Sequence, residues 1–133
     1  MKPVTVMVLG AGCRGTGYSE YAGEFPDRMK VVAVAEPREP YRRHMVETYG
    51  IDQANVMTDW VQAIDRPRLA DAVLICMPDA LHTQPAIEMA KKGYHILLEK
   101  PMSPTADECR AVVAAVKKAN VIFAVGHVMR YTR

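Results

Sequence analysis

Val4-Thr5-Val6-Met7-Val8-Leu9-Gly10-Ala11-Gly12-Cys13-Arg14-Gly15 is the stretch that decides the fold. Its first half is an apolar run, interrupted only by Thr5, and is rich in β-branched residues. A membrane helix needs roughly 20 apolar residues, and a signal peptide would not run directly into glycines. The run reads as a strand covered on both faces, the habit of parallel sheets. Its second half spells G-x-G-x-x-G, which is weak alone and informative where it closes a strand and opens a helix. In that setting Gly10 permits a tight turn, Gly12 lets a pyrophosphate come close to the backbone, and Gly15 lets the helix pack on the strand. The N–H groups and positive dipole of the helix N-terminus then face the phosphates. Cys13 and Arg14 lie inside the loop and are expected to act through their backbone N–H groups.

The same alternation continues to the end of the chain. Apolar runs at 31–35, 72–77, 94–98 and 121–125, with a weaker one at 55–58, predict five further strands. Amphipathic stretches at 15–24, 40–49, 83–92 and 104–119 predict helices between them. Gly50 and Gly93 stop the second and third, and Pro85 sits in the first turn of the third. In the last, Ser103 is expected as the cap and Pro104 as the first residue, with Cys109, Val112, Val113 and Val116 on one apolar face. Strands alternating with helices imply an α/β, doubly wound, mostly parallel six-stranded sheet with helices on both faces. The 133 residues suit one domain, assigned to 1–126. A net charge of +2 argues for neither a nucleic-acid nor a membrane partner. Cys13, Cys76 and Cys109 are odd in number and widely spaced, so no disulfide framework or metal site is expected, and a cytoplasmic setting is.

Ligands of such sheets bind beyond the C-terminal strand ends. Glu36 ends the second strand, 21 residues beyond Gly15, where an acid accepts hydrogen bonds from the adenosine ribose of a dinucleotide. This favours NAD over NADP. Arg38 pulls the other way, pairing with a 2′-phosphate, or else stacks on adenine or stays solvated. Met77 and Pro78 leave the fourth strand beside the cofactor. His82 is either a nicotinamide neighbour or a helix-start residue bonding a loop, with spacing favouring the second. Glu99-Lys100-Pro101 ends the fifth strand. Lys100 there either orients a substrate hydroxyl for proton transfer or forms an ion pair with Glu99, and Pro101 is a candidate for a cis bond. His127 and Arg130 leave the sixth strand, lining a site or anchoring the chain beyond it.

GAGCRG, AEP, MPDALH, GYHILLEKPM and GHVMRY occur in order. Together they resemble the N-terminal Rossmann domain of the Gfo/Idh/MocA oxidoreductases, a resemblance running from Val4 to Arg130. It implies that Lys100 contacts substrate and assists proton transfer, that Glu99 lies near the nicotinamide ribose, and that His82 borders the nicotinamide pocket. It also implies hydride transfer to or from a sugar, cyclitol or related polyol. Members of the family continue into a C-terminal α/β domain that builds the substrate pocket and usually the oligomer interface. On this reading 127–133 begin the connection to that domain, and the chain is a fragment that binds cofactor with little turnover, the whole protein being a homo-oligomer. Two rivals stand beside it. A non-catalytic NAD(P) sensor needs the same fingerprint. An S-adenosylmethionine-dependent methyltransferase would carry an acid just before the glycines, where this chain has Val8-Leu9.

Overall fold

The computed structural model describes residues 2–132. Its strands are β1 Val4–Leu9, β2 Met29–Ala35, β3 Val56–Met57, β4 Ala72–Ile75, β5 His95–Leu98 and β6 Phe123–Val125. The helices are α1 Cys13–Glu24, α2 Glu39–Tyr49, α3 Thr83–Lys91 and α4 Ala106–Ala119. The strands form one sheet in the order β3-β2-β1-β4-β5-β6, and every neighbouring pair is parallel. The expected doubly wound sheet is present, with no antiparallel strand in it among the described residues.

Chain order reverses between β1 and β4, which sends α1 and α2 to one face and α3 and α4 to the other. Alternate residues of β1 therefore feed different cores, and no position of its second half is free for a polar residue. Val6 and Val8 join Val34 and Leu74 under Ala22 of α1 and Met45 of α2. Met7 and Leu9 join Val73, Ile75 and Leu98 under Met89 of α3 and Val112 of α4. Along β2 the register slips between Val6 and Met7, leaving Val32 without a partner on β1. At the start of the sheet a polar clasp ties β1 to the residue before β4. Asp71 Oδ2 accepts from Thr5 N at 2.9 Å and Thr5 Oγ1 at 2.7 Å, while Asp71 N donates to Thr5 Oγ1 at 2.9 Å.

Two local expectations are corrected. Helix α4 starts at Ala106, not at Pro104, and its cap is Thr105 rather than Ser103. The cause is the T-x-x-E spacing: Thr105 Oγ1 accepts from Glu108 N, and Glu108 Oε2 takes the Thr105 N–H at 3.1 Å. Ser103 is buried instead, sharing a 2.8 Å hydrogen bond with Thr83 at the start of α3. On the apolar face of α4, Val112 and Val116 are buried, while Cys109 and Val113 are half-buried. The predicted strand at 121–125 begins only at Phe123, because it is the edge strand and pairs on one side alone.

Candidate functional site

The glycine loop has the shape that its sequence requires. Gly10 adopts φ +89°, and a Cβ on it would lie 2.9 Å from the backbone of Cys76 on the neighbouring strand exit. A Cβ on Gly15 would lie 2.0 Å from the Gly10 carbonyl oxygen, so only glycine lets α1 seat on the loop. Gly12 is the N-cap of α1 and brings no side-chain cap, which leaves the first N–H groups of the helix open. Cys13 and Arg14 form its exposed first turn.

Beyond the C-terminal ends of β1 to β4 lies a cavity of about 630 Å³. Gly10, Gly12, Glu36, Arg38, Met77 and Pro78 line it, as the strand-end reading expects. Trp60 and Leu81 also line it, and neither was foreseen. A signal existed for Trp60: the strand-end rule applied to the weak run at 55–58 points to the residues just after it. Glu36 is only 1% exposed. Its Oε1 accepts from Arg38 N at 2.9 Å and Arg38 Nε at 2.8 Å, and its Oε2 from Ala11 N at 2.7 Å and Arg38 Nη2 at 3.1 Å. Burial pushes this carboxyl up, but the Arg38 side chain and the N–H groups of Arg38 and Ala11 outweigh it and hold it below the usual carboxylate range. The Arg38 guanidinium lies 4.0 Å from the centre of the Tyr41 ring and reaches over Gly12. It thus covers the ground between the acid and the glycine loop.

A second group of polar residues gathers at the exits of β4, β5 and β6, away from that cavity. Glu99 is buried, and its Oε1 accepts from Tyr18 Oη at 2.6 Å. Its Oε2 accepts from Lys100 N at 3.0 Å, and Arg14 Nε stands 4.0 Å from Oε1. The ion-pair alternative for Lys100 is therefore not formed, and its side chain is exposed. Tyr18 was missed by sequence reasoning, although it shares a face of α1 with Arg14 at i, i+4. Burial pushes its hydroxyl up to about 12, helped by the bond to Glu99. Gly126 makes room for the pair, since a Cβ there would fall 2.6 Å from Tyr18 Oη. Burial likewise pushes the Cys76 thiol up to about 12, with the Glu99 charge adding to it.

His82 is fully buried, and its ring bridges two loops: Nδ1 is 2.7 Å from the Pro101 oxygen and Nε2 is 2.7 Å from the Met77 oxygen. The loop-bonding alternative is the one this ring geometry displays. The Lys100–Pro101 peptide is cis. His127 and Arg130 are exposed on the way out of β6 and line neither the cavity nor the Glu99 cluster.

No helix among the described residues is long and apolar enough to cross a membrane. Residues 4–127 match the oxidoreductase family GFO_IDH_MocA, described as an NAD-binding Rossmann fold. The chain is 34% identical to levoglucosan dehydrogenase of Pseudarthrobacter phenanthrenivorans, over 99% of this chain and 35% of that protein. It is 32% identical to myo-inositol 2-dehydrogenase of Thermotoga maritima, over 95% of this chain and 36% of that protein. The crystal structure of a probable dehydrogenase from Thermotoga maritima superposes with a TM-score of 0.84 at 30% identity, covering 96% of this chain and 37% of that one. The chain spans about a third of the length of these relatives. The switch-point cavity, the glycine cradle and the buried acid at its edge agree with these matches: the chain belongs to the Gfo/Idh/MocA oxidoreductase family, as its NAD-binding Rossmann domain.

Proposed function

We propose that this chain is the dinucleotide-holding part of an NAD-dependent oxidoreductase that moves a hydride between nicotinamide and a sugar, cyclitol or related polyol. The observation that carries the reading is Glu36, a buried carboxylate opening on the same cavity as Gly10 and Gly12. Trp60 and Leu81 would hold adenine, Met77 stands against Gly10 at the turn, and Glu36 would accept from the ribose hydroxyls. Those hydroxyls would compete with the Arg38 guanidinium for the Glu36 oxygens. A 2′-phosphate would meet the Glu36 charge, so NAD is preferred, while the guanidinium keeps NADP as the weaker ligand. The open N–H groups of α1 would hold the pyrophosphate, with Cys13, Arg14 and Gly15 contributing through their backbone.

Residues at the exits of β4 and β5 would hold the nicotinamide half. When bound, the nicotinamide supplies the hydride acceptor. Lys100, exposed at the β5 exit, is the catalytic residue: its Nζ would hydrogen-bond the substrate hydroxyl and orient it to lose its proton to water as the carbinol carbon gives its hydride to the nicotinamide, leaving a carbonyl. Glu99, fixed by Tyr18, would lie near the nicotinamide ribose, and His82, buried beneath, would hold the loops that border that pocket. The relatives named above are dehydrogenases of levoglucosan and myo-inositol, which supports a polyhydroxylated substrate. In the whole protein, residues 127–133 lead to a substrate domain that completes the pocket and makes a homo-oligomer. Three cysteines without a disulfide fit a cytoplasmic setting.

Trp60 is the chain's single tryptophan and lines the cavity, so its fluorescence reports on binding. Titration with NAD, NADP and S-adenosylmethionine, repeated with Glu36→Ala, tests the reading. The expected result is that NAD quenches best, NADP less and S-adenosylmethionine not at all, and that Glu36→Ala narrows the gap between the dinucleotides. A folded protein that answers only to S-adenosylmethionine, or to none of the three, overturns it.

A further inference from the structure

The two short contacts of the His82 ring have the same chemistry at both ends. A backbone carbonyl oxygen accepts hydrogen bonds and never donates, and here one lies 2.7 Å from each ring nitrogen. A neutral imidazole has one N–H and one lone pair. Placed between these carbonyls it makes one hydrogen bond and sets its lone pair against oxygen lone pairs at the other end. The ring is fully buried, so water does not relieve that contact. No backbone N–H among the described residues reaches either carbonyl, so both depend on the imidazole.

We propose that His82 is carried as an imidazolium that donates from both nitrogens, and that it is a positioning residue fastening the β4 exit to the β5 exit. Each end of this tie carries part of the site. Met77 walls the cavity, and Pro101 directly succeeds Lys100. The charge makes both bonds charge-assisted, and such bonds are short.

The ionisable groups on the elements around the ring are engaged elsewhere or exposed. Asp79, on the turn before α3, accepts from Ala80 N, and Glu99 at the β5 exit is held by Tyr18 and Lys100 N. On α4, Glu108 bonds to Thr105, and the Cys109 sulfur faces the Ser103 oxygen. Cys76 stays a neutral thiol, and the Lys100 side chain is exposed. His82 enters no ion pair among the described residues, so two carbonyl dipoles stand in for a counter-ion. The tie needs a proton on each ring nitrogen, since neither carbonyl can donate.

The protonation half of the proposal stands alone, and the positioning half rests on the dinucleotide reading. Nuclear magnetic resonance of the protein with isotope-labelled histidine, at neutral pH, separates them. His82→Gln identifies the signals, and Trp60 fluorescence gives the NAD and ADP affinities of both proteins. Two slowly exchanging ring N–H signals are expected from His82. His82→Gln is expected to weaken NAD by about tenfold, the effect of one lost charge-assisted bond, and to leave ADP within about twofold. A single ring N–H overturns the imidazolium. Two N–H signals with NAD and ADP weakened alike overturn the positioning role. A wild-type protein that binds neither nucleotide overturns the dinucleotide reading and the positioning role with it, while the count of ring protons still decides the charge.

Discussion

At the scale of single residues, Glu36 and Cys76 show how one cavity wall treats two acids differently. The Glu36 carboxyl is held below its usual 4.5, so its contribution to stability is present above that value and is lost as pH falls through the lower folded value. Glu36→Gln is expected to flatten the acid limb of the stability profile. At neutral pH it should cost about 1–3 kcal/mol, because Ala11 N and the Arg38 guanidinium then face an amide. Urea denaturation from about pH 7 down to about pH 3, the range that spans carboxylate titration, reads both effects. An unchanged acid limb would remove Glu36 from this role. Cys76 moves the other way, its thiol raised to about 12. Mild alkylation near neutral pH should modify exposed Cys13 first and Cys76 only after denaturant is added, as mass spectrometry will show. The placement of Gly10, Gly12 and Glu36 on the cavity was legible because it is written in local backbone and spacing. Tyr18 and Leu81 were not, since only the packing of α1 and the course of the loop after β4 bring them to the strand exits, and Trp60 was legible only through the faint run at 55–58.

At the scale of elements, α1 offers a paired test within three residues of chain. Gly15→Ala puts a Cβ 2.0 Å from the Gly10 oxygen, whereas a Cβ on Gly17 meets nothing within 4 Å. The first should destabilise by about 1–3 kcal/mol or more and abolish the NAD response of Trp60. Gly17→Ala lies on the exposed face of the same helix and should stabilise by roughly 0.5–1 kcal/mol while leaving NAD binding intact. Thermal melts of the two variants give the comparison, and a Gly15→Ala that melts like wild type would contradict the cradle. Helix identity was plain in the sequence, but the start of α4 was not. Ser103-Pro104 and Thr105-x-x-Glu108 both look like openings, and the second wins because its reciprocal bonds satisfy two N–H groups at once. β3 was faint for a different reason. It pairs only through Val56 and Met57, too few residues to impose a pattern.

At the scale of the whole molecule, the sheet separates two cores that share no side chains. Met45 sits in the layer under α2 and Met89 in the layer under α3, both fully buried. Each change to Ala should cost about 2–5 kcal/mol. The double variant should equal the sum within roughly 0.5 kcal/mol, because the sites have no common neighbour. Chemical denaturation of the four proteins checks this, and strong coupling would mean that the layers communicate through the strands. This architecture was readable because apolar runs without alternation demand cover on both sides, and short connections leave few topologies. The direction of the edge strands was not legible, since an edge strand can join in either direction. The Thr5–Asp71 clasp sets a timetable for the newborn chain. At about 5–20 residues per second, the ribosome releases Asp71 on the order of 3–13 s after Thr5. Until then β1, the middle of the finished sheet, has β2 alone beside it, and one of its edges waits in open water. A nascent chain stalled between these two residues would carry that edge bare, and it is there that a chaperone would find its handhold.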